Sequence, residues 1–95
     1  MIITIKGKEY KAEVTLRAMM AFEEATGKAF EIKTMSDIIK YCFCIILANN
    51  DEVELELKDF VEALDEEPQI MQSFNDLLQS KKKEVMSLQE NLGRA

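Results

Sequence analysis

Few residues of this chain are equipped for chemistry. It holds no histidine, the side chain that general acid-base and nucleophilic catalysis most often enlist. Its two thiols, Cys42 and Cys44, stand inside the apolar run YCFCIILA. Two thiols without histidine do not complete a four-ligand zinc site, and their spacing is not that of a disulfide framework, so both read as small buried hydrophobes in a reducing compartment. Carboxylates adjoin at Glu23-Glu24 and Glu66-Glu67, but neighbours on a helix diverge by about 100° and do not face one substrate. Gly7, Gly27 and Gly93 are isolated and build no phosphate-cradling loop. The one basic run, Lys81-Lys82-Lys83, reads as a wet helix turn or as a neutraliser of acidic groups on a neighbouring copy. A formal charge of -6 repels a nucleic-acid backbone. These residues predict a protein with no catalytic, cofactor or metal residues, no nucleic-acid partner and a function carried by surfaces.

The elements that present those surfaces follow from patterning. ITIKGKEYKAEV alternates on either side of Gly7-Lys8, which predicts a hairpin over residues 1–14 with a type II′ turn there. That turn pairs Lys6 with Glu9, Ile5 with Tyr10, Thr4 with Lys11 and Ile3 with Ala12. A lone hairpin is marginal, so its apolar face needs a helix. Thr15 is an N-cap, Val14 and Met19 suit a hydrophobic staple, and Gly27 suits a left-handed stop, giving a first helix over 16–26. Thr34 and Asp37 form a capping box that opens a second helix through Ala48, before Asn49-Asn50-Asp51. Its interior also fits a buried strand, and length and cap decide for helix. As the most apolar element it is the expected core, with Cys42 and Cys44 on different sides. Residues 51–67 hold half of the chain's 18 acidic residues. There Val53, Leu55 and Leu57 alternate with glutamates as in an extended piece, and Leu57, Phe60, Val61 and Leu64 give a short third helix. This segment is a solvated face or an acidic docking face. Pro68 opens a fourth helix towards Leu92 with Ile70, Met71, Phe74, Leu77 and Leu78 turned to the core. Beyond Leu78 the apolar positions thin to Val85, Leu88 and Leu92, a narrow seam that suits a helical partner or self-association, with fraying as the plain alternative. The fold class is α+β and mostly helical: an N-terminal β-hairpin, then about four α-helices in a single small domain. Residues 15–78 form its helical core and 79–95 a projecting C-terminal arm. The longest apolar run is too short for a membrane, which takes roughly 20 residues. With no signal peptide in view, the expected location is cytoplasmic.

The first helix poses a question. VTLRAMMAFEEATGKAF puts Leu16, Ala18, Met19, Met20, Ala21, Phe22 and Ala25 around most of its circumference. Broad burial between the hairpin and other helices is the ordinary cause. The other is a binding surface at Met19 and Met20, since methionine adapts to irregular partners.

The opening ITIKGKEYKAEVTLRAMMAFEEATGKAF, with Phe22, Glu23, Glu24 and the closing Thr26-Gly27-Lys28, resembles the small tail assembly chaperones of long-tailed bacteriophages and prophages. The apolar second helix, the acidic ELELKDFVEALDEEP and a further helix continue the likeness over residues 2–78. EVELEL departs from it, because relatives offer a Ser or Thr cap before the third helix. The resemblance implies a non-enzymatic protein of the host cytoplasm. Such proteins bind the long, helical tape measure protein while tube subunits assemble, then leave before the virion is finished. Tail tube protein is a further implied partner and weak homo-oligomerisation a further implied property. The expected partner-binding residues are Met19, Met20, Phe22, Glu23 and Glu24 in the first helix, with Leu78, Val85, Leu88 and Leu92 in the last. In many such phages a programmed frameshift yields a longer product, and the lysine codons at 81–83 are its expected place. The rival reading is a small cytoplasmic adaptor or regulator that dimerises through its C-terminal helix and offers the acidic face to one folded partner.

Overall fold

A computed structural model of the protein describes residues 1–80. Strands β1 (Ile2–Ile5) and β2 (Lys8–Lys11) form an antiparallel hairpin, followed by helices α1 (Leu16–Thr26), α2 (Met35–Asn49) and α3 (Leu57–Glu66). A fourth helix, α4, begins at residue 69 and continues to residue 80. This is the hairpin-plus-helices arrangement that the patterning predicts.

The hairpin differs in its turn, which is not the expected type II′ at Gly7-Lys8. Its central residues are Lys6 and Gly7, both at positive φ (50° and 79°), as in a type I′ turn, whose twist matches that of the strands. Ile3 therefore faces Tyr10 and Thr4 faces Glu9, correcting the expected register by two residues. Side chains alternate with period two, so the correction leaves both faces unchanged. Ile3, Ile5, Tyr10 and Ala12 are all buried.

Both expected caps on α1 are present. The Thr15 hydroxyl accepts a hydrogen bond from the Ala18 N–H (3.1 Å), and Gly27, at φ 71°, donates its N–H to the Glu23 carbonyl (2.8 Å). At the start of α2, Thr34 Oγ1 accepts from the Asp37 N–H, and the Asp37 carboxylate accepts from the N–H groups of Lys33 (3.1 Å) and Thr34 (3.2 Å). Lys28 Nζ lies 3.5 Å from the same carboxylate. The Lys33 N–H chiefly, then the Thr34 N–H and the Lys28 charge, hold this carboxyl below its ordinary pKa against the opposing effect of burial.

Helix α2 organises the core. Tyr41, Cys42, Cys44, Ile45 and Ile46 are buried on it, and its interface with α1 is more extensive than those with α3 and β2. Tyr41 meets Phe22 and Phe30 edge-on, with ring centroids 6.1 and 4.9 Å away. Phe43, two residues on and so nearly opposite around the helix, packs on Phe60 (5.5 Å), which in turn meets Phe74 of α4 (5.8 Å). Each such pair adds roughly 0.5–1.5 kcal/mol beyond its buried area. Residues 50–56 connect α2 to α3 without forming a strand; Val53 and Leu55 still turn inward while the intervening glutamates stay exposed. The Asp59 carboxylate accepts from the Glu56 N–H (3.2 Å) and so opens α3 without a Ser or Thr cap.

The end of α2 is tied to the hairpin by two amides. Asn49 Nδ2 donates to the carbonyls of Ile45 (2.7 Å) and Glu13 (2.9 Å). Asn50 Nδ2 donates to the carbonyls of Ile46 (2.8 Å) and Lys11 (2.9 Å), and its Oδ1 accepts from the Lys11 N–H (3.1 Å). One side chain thus meets both backbone groups of a strand residue.

Two stability measurements check these local devices. Asn50→Ala is expected to cost about 1–2 kcal/mol in urea denaturation at neutral pH. Asn50→Asp, which turns an anionic oxygen towards two carbonyls, is expected to lose at least as much. Asp37 behaves differently. Because folding lowers its pKa, it adds stability above its ordinary value of 3.8 that is lost as the pH falls through the folded-state value. The gap in urea midpoint between wild type and Asp37→Asn should therefore be widest near neutrality and shrink towards about pH 2. A gap independent of pH would mean that the carboxylate's charge contributes nothing.

Candidate partner-binding groove

The apolar circumference of α1 divides sharply between core and solvent. Ala18 and Phe22 are completely buried, while Leu16 is 77% and Met20 57% exposed. The reason is angular: α2 lies against one side of α1, and Met20 lies half a turn away from Ala18 and Phe22. On α2 the largest exposed apolar residue of the second half is Leu47, at 42%.

Met20 and Leu47 meet at the surface between these helices. One hollow of about 300 Å³ is lined by Arg17, Met20, Ala21, Glu24, Leu47 and Ala48. A second, of about 210 Å³, is lined by Ala25, Lys40, Phe43, Cys44, Leu47 and Leu57. Leu47 belongs to both, so the two hollows adjoin along α1 and α2, and the second reaches Leu57 at the start of α3. Its floor is mainly apolar, with Arg17, Glu24 and Lys40 as its charged groups. A further hollow between β1 and the start of α4 mixes polar and apolar groups.

The expected partner residues do not share one place. Met20 and Glu24 line the groove. Met19 is half-buried and packs on the core, as does Leu78. Phe22 lies wholly inside, so it shapes the surface only from beneath. The Glu23 carboxylate accepts the Phe30 N–H (2.9 Å), which holds the loop after α1 against Phe22 and Tyr41. Val85, Leu88 and Leu92, the lysine run and the rest of the expected arm from residue 81 onward lie outside the described residues. Leu47, Phe43 and Leu57 complete the groove, and sequence reading placed them in the core or in a third helix. Only the relative placement of three helices brings them to one surface.

The thiols offer no reactive group. Cys42 and Cys44 are free and buried. Burial, chiefly, pushes the Cys42 thiol up to about 12 and raises that of Cys44, so neither is a thiolate at neutral pH. Among the described residues no group of three or more potential ligands could hold a metal ion. None of their helices is long and apolar enough to cross a membrane.

Comparison of the chain with protein-family models, with curated proteins and with solved structures finds no match in any of the three. The groove's chemistry therefore carries the functional argument.

Adjacent methionines supply a direct check on this surface. Met20→Asp is expected to leave stability within about 0.5 kcal/mol of wild type, because its side chain faces water. Met19→Asp sets a charge against the core and should cost roughly 2 kcal/mol or more in the same urea titration. Equal effects at the two positions would contradict the division of α1 described above.

Proposed function

We propose that this protein is a non-enzymatic tail assembly chaperone of a long-tailed bacteriophage or prophage. In this reading it works in the host cytoplasm, keeps the tape measure protein soluble while the tail tube assembles and is absent from the finished virion. The observation that carries the reading is the apolar surface of Met20, Ala21, Ala25, Phe43 and Leu47, which lines hollows between α1 and α2 that are open among the described residues. A helical client with an exposed apolar stripe gains by placing it there, since burial is worth about 25 cal/mol per Å² of apolar surface. A groove this small makes each contact weak. Many copies along one long client shield it by mass action and are released when tube subunits compete.

The acidic residues of 51–67 support the same role. Most are exposed, and their charge keeps a client-bearing complex soluble. Tube protein is the second proposed partner, for which this face is the available surface. Weak self-association is compatible with the same scheme.

The experiment is a pull-down of N-terminally tagged protein expressed with its native operon, followed by mass spectrometry. Retention of a very long helical protein is expected. Met20→Asp with Leu47→Asp should lose that protein while remaining folded by circular dichroism. Recovery of one compact partner instead, with the neighbouring genes demonstrably expressed, would favour an adaptor that dimerises through its C-terminal helix.

A further inference from the structure

We infer that the outer edge of β1 is a self-association site, at which two copies join β1 to β1 in antiparallel fashion and merge their hairpins into one four-stranded sheet. It uses residues other than those of the groove, and it rests on the chaperone reading only for the crowding that would populate it.

The hairpin's own ladder decides which backbone groups are free. Its bonded pairs fall at every second position, Met1 with Ala12, Ile3 with Tyr10 and Ile5 with Lys8, so the N–H and C=O groups of Ile2 and Thr4 point away from β2. No other backbone hydrogen bond among the described residues takes them up. A hollow of about 290 Å³ lies between this edge and Gln69, Ile70 and Ser73 at the start of α4, which leaves room beside the strand. Outward donors and acceptors spaced along an extended backbone are the template for one more strand.

The sequence makes β1 its own complement. Charged side chains guard an edge, and β2 carries Lys8, Glu9 and Lys11 whereas IITI carries no charge. Two copies with a formal charge of -6 each therefore meet here without like charges opposed across the paired strands. About a two-fold axis at Ile3, Ile2 of one copy faces Thr4 of the other, and each such pair exchanges both of its backbone bonds. No other antiparallel register of β1 on itself bonds all of the outward groups. On the solvent face the two Ile2 side chains, each 56% exposed in a single copy, become diagonal neighbours within reach of one another. The contact is isologous, so it closes at two copies.

The full-length protein tests the inference by sedimentation velocity from about 10 µM to about 1 mM, and by amide hydrogen exchange read in NMR spectra over the same range. Sedimentation should rise with concentration to that of a dimer and no further, while exchange at the Ile2 and Thr4 N–H groups slows in step. Both residues are exposed, so substitution there should leave the fold intact by circular dichroism. Ile2→Lys with Thr4→Lys sets lysine opposite lysine and should weaken the dimer at least about tenfold, an effect that lessens as salt rises. Mixed with the Ile2→Glu, Thr4→Glu variant, that protein should pair again, because each lysine then meets a glutamate. A monomer throughout the range, a dimer indifferent to the lysines, a mixture that fails to pair or growth beyond two copies would each overturn the inference. So would Ile2 and Thr4 amides that exchange slowly already at the lowest concentration, since the chain would then cover this edge itself. The pull-down reads the chaperone function separately. A long client retained by a protein that stays monomeric upholds that reading without the inference, and a dimer that retains no such client upholds the inference without that reading.

Discussion

A helix that is apolar on nearly every side has to be covered on nearly every side, and α2 imposes that constraint on the rest of the molecule. α1 lies along its Tyr41 side, the Phe60 and Phe74 rings of α3 and α4 on its Phe43 side, and the hairpin near its C-terminal end. Four elements laid around one cylinder leave a seam wherever two of them fail to touch. One such seam, between α1 and the start of α3, holds the candidate surface, and Leu47 is the most exposed apolar α2 residue in it. Binding surface and core are therefore two parts of one apolar helix.

Much of this architecture can be read from local chemistry. Thr15 and Gly27 bound α1 because each supplies a hydrogen bond or a backbone angle that few other residues supply. Thr34 and Asp37 do the same for α2. Those devices act over three or four residues and need no knowledge of the fold. A two-residue hairpin turn is legible, but neither its type nor its position is, because Lys6-Gly7 and Gly7-Lys8 both offer a glycine and both keep Ile3, Ile5, Tyr10 and Ala12 on one face. Only the twist of the finished strands separates them.

The groove lies beyond such reading for a different reason. Met19 and Met20 are chemically identical and adjacent, and what separates them is the side from which α2 approaches. Phe43 and Leu47 belong to a run that periodicity alone assigns wholly to the interior. The amide clamp is similarly hidden, since Asn49-Asn50 is an ordinary way to end a helix. Its second purpose depends on β2 passing within hydrogen-bond reach, nearly 40 residues earlier in the chain.

That clamp bears on how copies of this protein behave when crowded together. The Ala12 N–H bonds the Met1 carbonyl across the hairpin, so the N–H and C=O of Lys11, one residue earlier, point away from β1. They belong to the outer edge of the sheet, where another copy's strand would otherwise add itself. The Asn50 amide occupies both groups, with one donor and one acceptor arranged as a neighbouring peptide would offer them. A single side chain thus closes one end of an exposed sheet margin against unwanted polymerisation. For a protein proposed to gather in many copies along one client, it disfavours association through that margin.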